Sequence, residues 1–249
     1  MKIQAAALLG VAVVIAGCAP PNARRWSDRT PLKPLSRLDC PQNADGGLAL
    51  ASAAADGMSC AYATADSQTQ VELRLASVKD TPQEALDPIE TELKALLPTE
   101  DALAAPRTPV KPAVENKDVD IDLPGLSIHT KGDAANIRVG GMHVRGQGDG
   151  DGEGGSVKVT GHAYPGSRLS VDANDGVAIV RTSTAGPNVR STFMIASDQA
   201  GPSGWRAVGY EARGPRSGPL VVAVVKTKAN DRENIFGMVQ GLVRQTAGG

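Results

Sequence analysis

IDLPGLSIHTKGD (residues 121–133) and IRVGGMHVRGQGD (residues 137–149) are two copies of one pattern, offset by about 16 residues. Ile121 matches Ile137, Leu123 matches Val139, Gly125 matches Gly141 and Leu126 matches Met142. Ile128 then matches Val144, Gly132 matches Gly148 and Asp133 matches Asp149. Each copy reads as strand, glycine kink, strand and Gly-Asp turn, because apolar residues alternate with polar ones between the glycines. This spacing suits a stack of hairpins or the coils of a short β-solenoid, in which neighbouring repeats cover one another's apolar faces. Val157 and Val159 leave only a trace of a third copy, so the sheet must continue into the segment that follows.

Strand signals persist to about residue 228. The candidates are Ser156 to Ala163, Arg168 to Ala173, Val177 to Thr182, Val189 to Ala196, Trp205 to Ala212 and Leu220 to Thr227, with Asn174-Asp175-Gly176 as a hairpin turn. A helix is expected from Asn230, capped with Glu233 reaching back. Its apolar side carries Ile235, Met238, Val239, Leu242 and Val243, which suits a cover for one sheet face.

Upstream of the repeat the pattern changes. Ser59 to Thr64 and Gln70 to Ser77 read as paired strands about a turn at Asp66 and Ser67, with Val71, Leu73 and Leu75 alternating with Glu72 and Arg74. A helix start follows at Pro82, where Thr81 is placed to cap and Glu84 to complete a capping box; Asp87, Pro88 and Glu90 repeat the device six residues on. Pro88 therefore either kinks the helix or marks its true beginning. Leu86, Ile89, Leu93 and Leu96 share one face. Prolines 98, 106, 109 and 112 mark a linker before the repeat.

The chain has 26 Lys and Arg against 27 Asp and Glu, and aromatic residues make up 3%. No basic, aromatic-rich stripe is present, so nucleic acid is excluded as an expected partner. Cores must be built from Val, Ile, Leu and Ala. Three cysteines occur, at 18, 40 and 60.

The N-terminus places Lys2 before an apolar run from Ala5 to Ile15 that is too short to span a bilayer, and Ile15-Ala16-Gly17-Cys18 closes it. This resembles a bacterial lipoprotein signal. The resemblance implies that Cys18 carries diacylglycerol, that cleavage falls between Gly17 and Cys18, and that the new amino terminus is acylated with palmitate-like chains. Several acyl chains anchor stably where one does not. Ala19 stands where the best-known sorting system places an inner-membrane retention Asp, so the resemblance implies an outer-membrane lipoprotein facing the periplasm. With Cys18 lipidated, Cys40 and Cys60 remain as an even pair in an oxidising compartment, and a disulfide is expected.

The expected organisation is a signal peptide at 1–17, a lipidated tether at 18–34, a small α+β unit with the Cys40–Cys60 disulfide at 35–97, a proline-rich linker at 98–118, and a β-rich domain with a C-terminal helix at 119–249. The fold class is mainly β (α+β): a disulfide-stapled α/β unit plus a meander or short β-solenoid. The C-terminal half resembles the repetitive adhesin-type β-domains of bacterial envelope proteins.

Candidate chemistry is sparse. Asp149, Asp151 and Glu153 alternate with glycines as in the first half of a calcium loop, but Thr160 stands where the loop's closing carboxylate belongs, which favours a glycine hinge. The same glycines lack the following helix that a nucleotide loop needs. His129, His143 and His162 fall by alternation on the face opposite the apolar residues, where they could meet a metal or simply face solvent. No G-x-S-x-G elbow and no Lys three residues after a Ser occurs. Trp26, Trp205, Tyr62, Tyr164 and Tyr210 are the aromatics able to stack on a polysaccharide. The expectation is a non-enzymatic, cofactor-free envelope lipoprotein that binds or tethers an envelope protein or polysaccharide. The alternative is an envelope hydrolase with a dispersed site.

Overall fold

The structure is a computed structural model that describes residues 32–44, 47–97, 120–123, 126–131, 134–139, 142–149, 157–161, 167–173, 176–184, 186–229 and 235–247. Its N-terminal strands are β1 (Asn43–Ala44), β2 (Leu48–Ala53), β3 (Ser59–Thr64) and β4 (Thr69–Ala76), followed by helix α1 (Pro82–Lys94). The repeat region contributes β5 (Asp120–Leu123), β6 (Leu126–Lys131), β7 (Ala134–Val139), β8 (Met142–Asp149) and β9 (Val157–Gly161). Then come β10 (Ser167–Ala173), β11 (Val177–Thr184), β12 (Asn188–Ser197), β13 (Ala207–Pro215), β14 (Leu220–Thr227) and helix α2 (Ile235–Ala247). The described strands form one antiparallel sheet in the order β1-β2-β3-β4-β14-β13-β12-β11-β10-β9-β8-β7-β6-β5.

The protein is mainly β. Within the repeat, Leu123 pairs with Leu126, Lys131 with Ala134 and Val139 with Met142. The chain therefore reverses at these three points, whereas Gly148, the repeat partner of Gly132, pairs with Val159 inside β8, and the two copies are hairpins of a meander, not coils of a solenoid. What sequence spacing suggests as a kink inside a strand is a reversal between two strands.

Eight residue pairs, from Leu220↔Ala76 to Thr227↔Thr69, join β4 to β14. The N-terminal hairpin and the C-terminal meander thus share one hydrogen-bonded sheet. β14 reads LVVAVVKT and is buried on both faces, because it lies between β4 and β13 with a helix on either side.

Helix α1 starts where the first of the two signals places it. Thr81 has extended φ/ψ and its hydroxyl accepts from the Glu84 N–H at 3.2 Å, while Pro88 lies inside the helix. Leu86, Ile89 and Leu93 pack on one sheet face with Ile179, Phe193, Val208, Tyr210, Val222 and Val224. On the other face, Ile235, Phe236, Val239, Leu242 and Val243 of α2 pack with Val71, Val171, Val180, Met194, Val221 and Val225. Gly209 makes this docking possible: a Cβ there would lie 2.8 Å from the Phe236 ring and 2.3 Å from the Phe193 carbonyl oxygen.

The Cys40–Cys60 disulfide is present, closing a loop of sequence separation 20. It ties β3 to the segment entering the body, which is also held by Leu38 N–H donating to the Gly57 carbonyl (2.7 Å) and by Leu32 N–H donating to Asn188 Oδ1 (2.8 Å). At the β3–β4 turn, Asp66 accepts from the Thr64 hydroxyl (2.6 Å) and from Gln68 N–H (3.0 Å), while Ser67 takes φ of 57°. The Thr64 hydroxyl bond, then the Gln68 bond, holds the Asp66 carboxyl below its ordinary range.

The α2 face also holds a fully buried carboxylate. Glu211 bonds Arg190 Nε at 3.0 Å and accepts from the Thr192 hydroxyl. Burial pushes its carboxyl up, outweighing the opposing pull of Arg190.

Replacing Cys40 with Ser should cost about 3 kcal/mol of unfolding free energy, the chain-entropy value for a loop of this size; urea denaturation of variant and oxidised wild type at one pH measures it. Glu211 sets a pH dependence of definite sign. A carboxyl with a raised native pKa favours the folded state at low pH, and that contribution is lost as pH rises through the native value. Glu211→Gln should therefore gain stability relative to wild type as pH climbs from about 4 to neutrality. A stability difference that stays constant across the series would show that Glu211 titrates normally.

Candidate functional site

Alternation along the strands assigns each side chain to a face, and cross-strand register then groups them. Arg181, Phe193, Tyr210 and Val224 form one row on the α1 face, since Arg181 pairs with Phe193, Phe193 with Tyr210 and Tyr210 with Val224. Ser183, Ser191 and Ala212 form the next row, and β10 extends the two rows with Ser170, opposite Arg181, and Arg168, opposite Ser183. Helix α1 lies over the apolar end of these rows. Where it ends, a cleft of about 670 Å³ opens, walled by Gln83 and Glu90 of α1, Arg168 and Ser170 of β10, Arg181 and Ser183 of β11, and Ser191 of β12.

Glu90 is the inner anchor of the cleft. It sits one residue after Ile89 on the helix and is 8% exposed. Tyr210 Oη donates to its Oε1 at 3.0 Å, Gln83 Nε2 reaches the same oxygen at 3.5 Å, and Arg181 Nε lies 3.5 Å from Oε2. Both carboxylate oxygens are thereby engaged, as a buried carboxylate requires. Tyr210 stacks on Phe193 with centroids 5.8 Å apart, and the Arg181 guanidinium lies 4.8 Å above the Phe193 ring. Burial first, then the neighbouring Glu90 charge, pushes the Tyr210 phenol far above its ordinary value. It stays a protonated donor at any physiological pH.

Arg168 differs from Arg181. It is exposed at the cleft rim and has no ion-pair partner among the described residues. The lining thus holds two arginines, one glutamate already matched to Arg181, three serines, two threonines and a glutamine. Histidine and cysteine do not occur among the described residues of this lining. The arrangement can bind and orient a polar anionic group.

The sequence-derived candidates lie elsewhere. Cys18, Asp151, Glu153, His162, Trp26 and Tyr164 fall outside the described residues. Asp149 ends β8 opposite Lys158. His129 is exposed and stands opposite Asp120 and Asn136, whereas His143 stands opposite Arg138 on the far side of β7. Register therefore does not make these two histidines neighbours, and no metal-ligating cluster occurs among the described residues. Tyr62, Trp205 and Tyr210, read from sequence as sugar-stacking aromatics, are core residues: all three are buried. Tyr62 lies on the α2 face, where burial and then the Asp39 charge push its phenol up to about 12.

Sequence reasoning does not single out Glu90, Arg181 or Arg168 as site residues. Glu90 carries the signature of a capping residue, and the arginines alternate with serine on strands that look like any half-exposed pair. The available signal is a glutamate beside the Leu86-Ile89-Leu93 face, where the helix periphery meets the sheet.

Tyr210→Phe should lower stability by about 1–3 kcal/mol, because it strips a donor from a buried carboxylate. Glu90→Gln with Tyr210→Phe should cost less than the sum of the single changes, since the two groups serve one network. Chemical denaturation of the four proteins checks both values.

Comparison with known proteins finds no matching family model, no matching curated protein and no matching solved structure.

Proposed function

We propose that this chain is a lipid-anchored protein of the bacterial envelope, held at the outer membrane and facing the periplasm, with a non-enzymatic binding or tethering role. The observation that carries the anchor is Ile15-Ala16-Gly17-Cys18 at the close of a short apolar run behind Lys2. A cysteine at that position serves lipidation and has no use in an ordinary signal peptide. No helix among the described residues is long and apolar enough to cross a membrane, so attachment through lipid is consistent with the body that follows. The Cys40–Cys60 disulfide suits an oxidising compartment.

The binding role is supported by the cleft beside α1. Its guanidiniums, hydroxyls and carboxamide are recognition groups, and its one buried carboxylate is committed to Tyr210 and Arg181. A tethered body with such a cleft would hold an envelope component near the membrane, with the local concentration set by the tether.

Cys18→Ser should abolish lipidation and move the protein from the membrane fraction to the soluble periplasm, or leave it as an uncleaved precursor. Fractionation and mass spectrometry of the mature N-terminus read this out. A Cys18→Ser protein that is still processed and still membrane-bound would defeat the proposal.

A further inference from the structure

The cleft has a built-in charge pattern that selects a ligand. Arg168 and Arg181 stand on adjacent antiparallel strands, with Arg168 opposite Ser183 and Arg181 opposite Ser170. They occupy one diagonal of a two-by-two block and the serines occupy the other. Diagonal neighbours on one sheet face lie about 7–8 Å apart at their Cα atoms, close enough for two long side chains to converge on one small group. The short serines leave the space between them open, which is why a cleft exists here. A pair of leucines would close it.

Like charges at this spacing repel, and the protein offsets only one of them. Glu90 engages Arg181, leaving the Arg168 charge at the rim uncompensated by any described residue. Asp172 is the remaining acidic side chain of β10 on this face, but it stands opposite Ile179, beyond Ser170, and does not line the cleft. The lining therefore carries one excess positive charge, with Ser170, Ser183 and Gln83 arranged around it. A planar monoanion that also offers hydroxyl or amide groups matches this set. A dianionic phosphate would leave a negative charge unmatched beside Glu90. The volume, about 670 Å³, suits a small molecule or one residue of a polymer.

We infer that the Arg168–Arg181 block, with Ser170, Ser183 and Gln83, is a binding site for a carboxylate group carried by a small polar molecule: an acidic sugar unit or the free carboxyl end of a short peptide. Arg168 supplies the primary ion pair. Arg181, held over the Phe193 ring and against Glu90, supplies a fixed second donor. Ser170 and Ser183 bond the groups beside the carboxylate, and Gln83, whose Nε2 already donates to Asp87 at 2.7 Å and reaches Glu90, offers its carbonyl oxygen as an acceptor. The site deepens the binding role proposed above, but the lipid anchor takes no part in it, so loss of one claim leaves the other standing.

Calorimetric titration of the full chain in neutral detergent tests the assignment with four probes: glucuronate, glucose, N-acetylalanine and N-acetylalanine amide. At least one carboxylate should bind with one-to-one stoichiometry, and its neutral counterpart should not. Binding of glucuronate alone marks an acidic glycan as the source, binding of N-acetylalanine alone marks a peptide end, and binding of both marks the carboxylate itself; each supports the site. Arg168→Gln, a change at an exposed residue outside both cores, should weaken binding at least tenfold while leaving the unfolding midpoint unaltered. Arg181→Lys should weaken it as well, and because Arg181 also serves Glu90, the Arg168 variant decides. Failure of both carboxylates to bind would overturn the assignment, as would affinity unchanged in Arg168→Gln or equal affinity for the neutral probes.

Discussion

The β4–β14 ladder is the constraint on which the rest of the molecule depends. Eight residue pairs join strands about 150 positions apart in the chain, closing a long loop that costs conformational entropy before it returns any contact. In exchange, the N-terminal hairpin gains an inner neighbour and β14 gains a partner on each side. One sheet with two coverable faces results. Helix α1, which directly follows β4, is thereby delivered to the face of β11 to β14, and α2, which follows β14, to the opposite face.

This arrangement explains how a chain with so few aromatics builds a core. Val, Leu, Ile and Ala fill both layers, and the few large rings sit where one ring serves two elements. Phe236 docks over Gly209, where a side chain would obstruct it, and Phe193 with Tyr210 makes the floor beneath α1. The disulfide adds a local staple at the N-terminal edge, fixing the incoming segment to β3.

Local features are legible in the sequence and nonlocal ones are not. The limits of β3 and β14, the Thr81 cap, the Cys40–Cys60 pairing and the apolar face of α2 each follow from chemistry within about twenty residues. Chain reversal at the repeat glycines is hidden because a glycine between two short strands fits a kink as well as a turn. The β4–β14 ladder is hidden because alternation specifies a strand's faces and not its neighbour, although the unbroken LVVAVVKT run does signal a strand covered on both sides. Glu90 is hidden by its resemblance to a capping residue. A buried polar network becomes visible only once the helix has a sheet beneath it.

The position of the cleft follows from the reach of that helix. Thirteen residues give a rod about 20 Å long and about 10 Å wide. At about 4.8 Å between strands, such a rod covers at most about four of them. The buried apolar strand residues beneath α1 come from β11, β12, β13 and β14, which is four strands, with Ala76 of β4 only partly buried at the margin. On β10 the same face changes to Arg168, Ser170 and Asp172, and on β11 the change occurs within the strand, from Val177 and Ile179 to Arg181 and Ser183. The polar cleft is thus the boundary at which one short helix stops shielding a wide sheet. Glu90 stands at that boundary because a carboxylate there can turn inward to Tyr210 and outward to Arg181. The same geometry that completes the core leaves guanidiniums facing open space, and recognition chemistry arises where the hydrophobic layer ends.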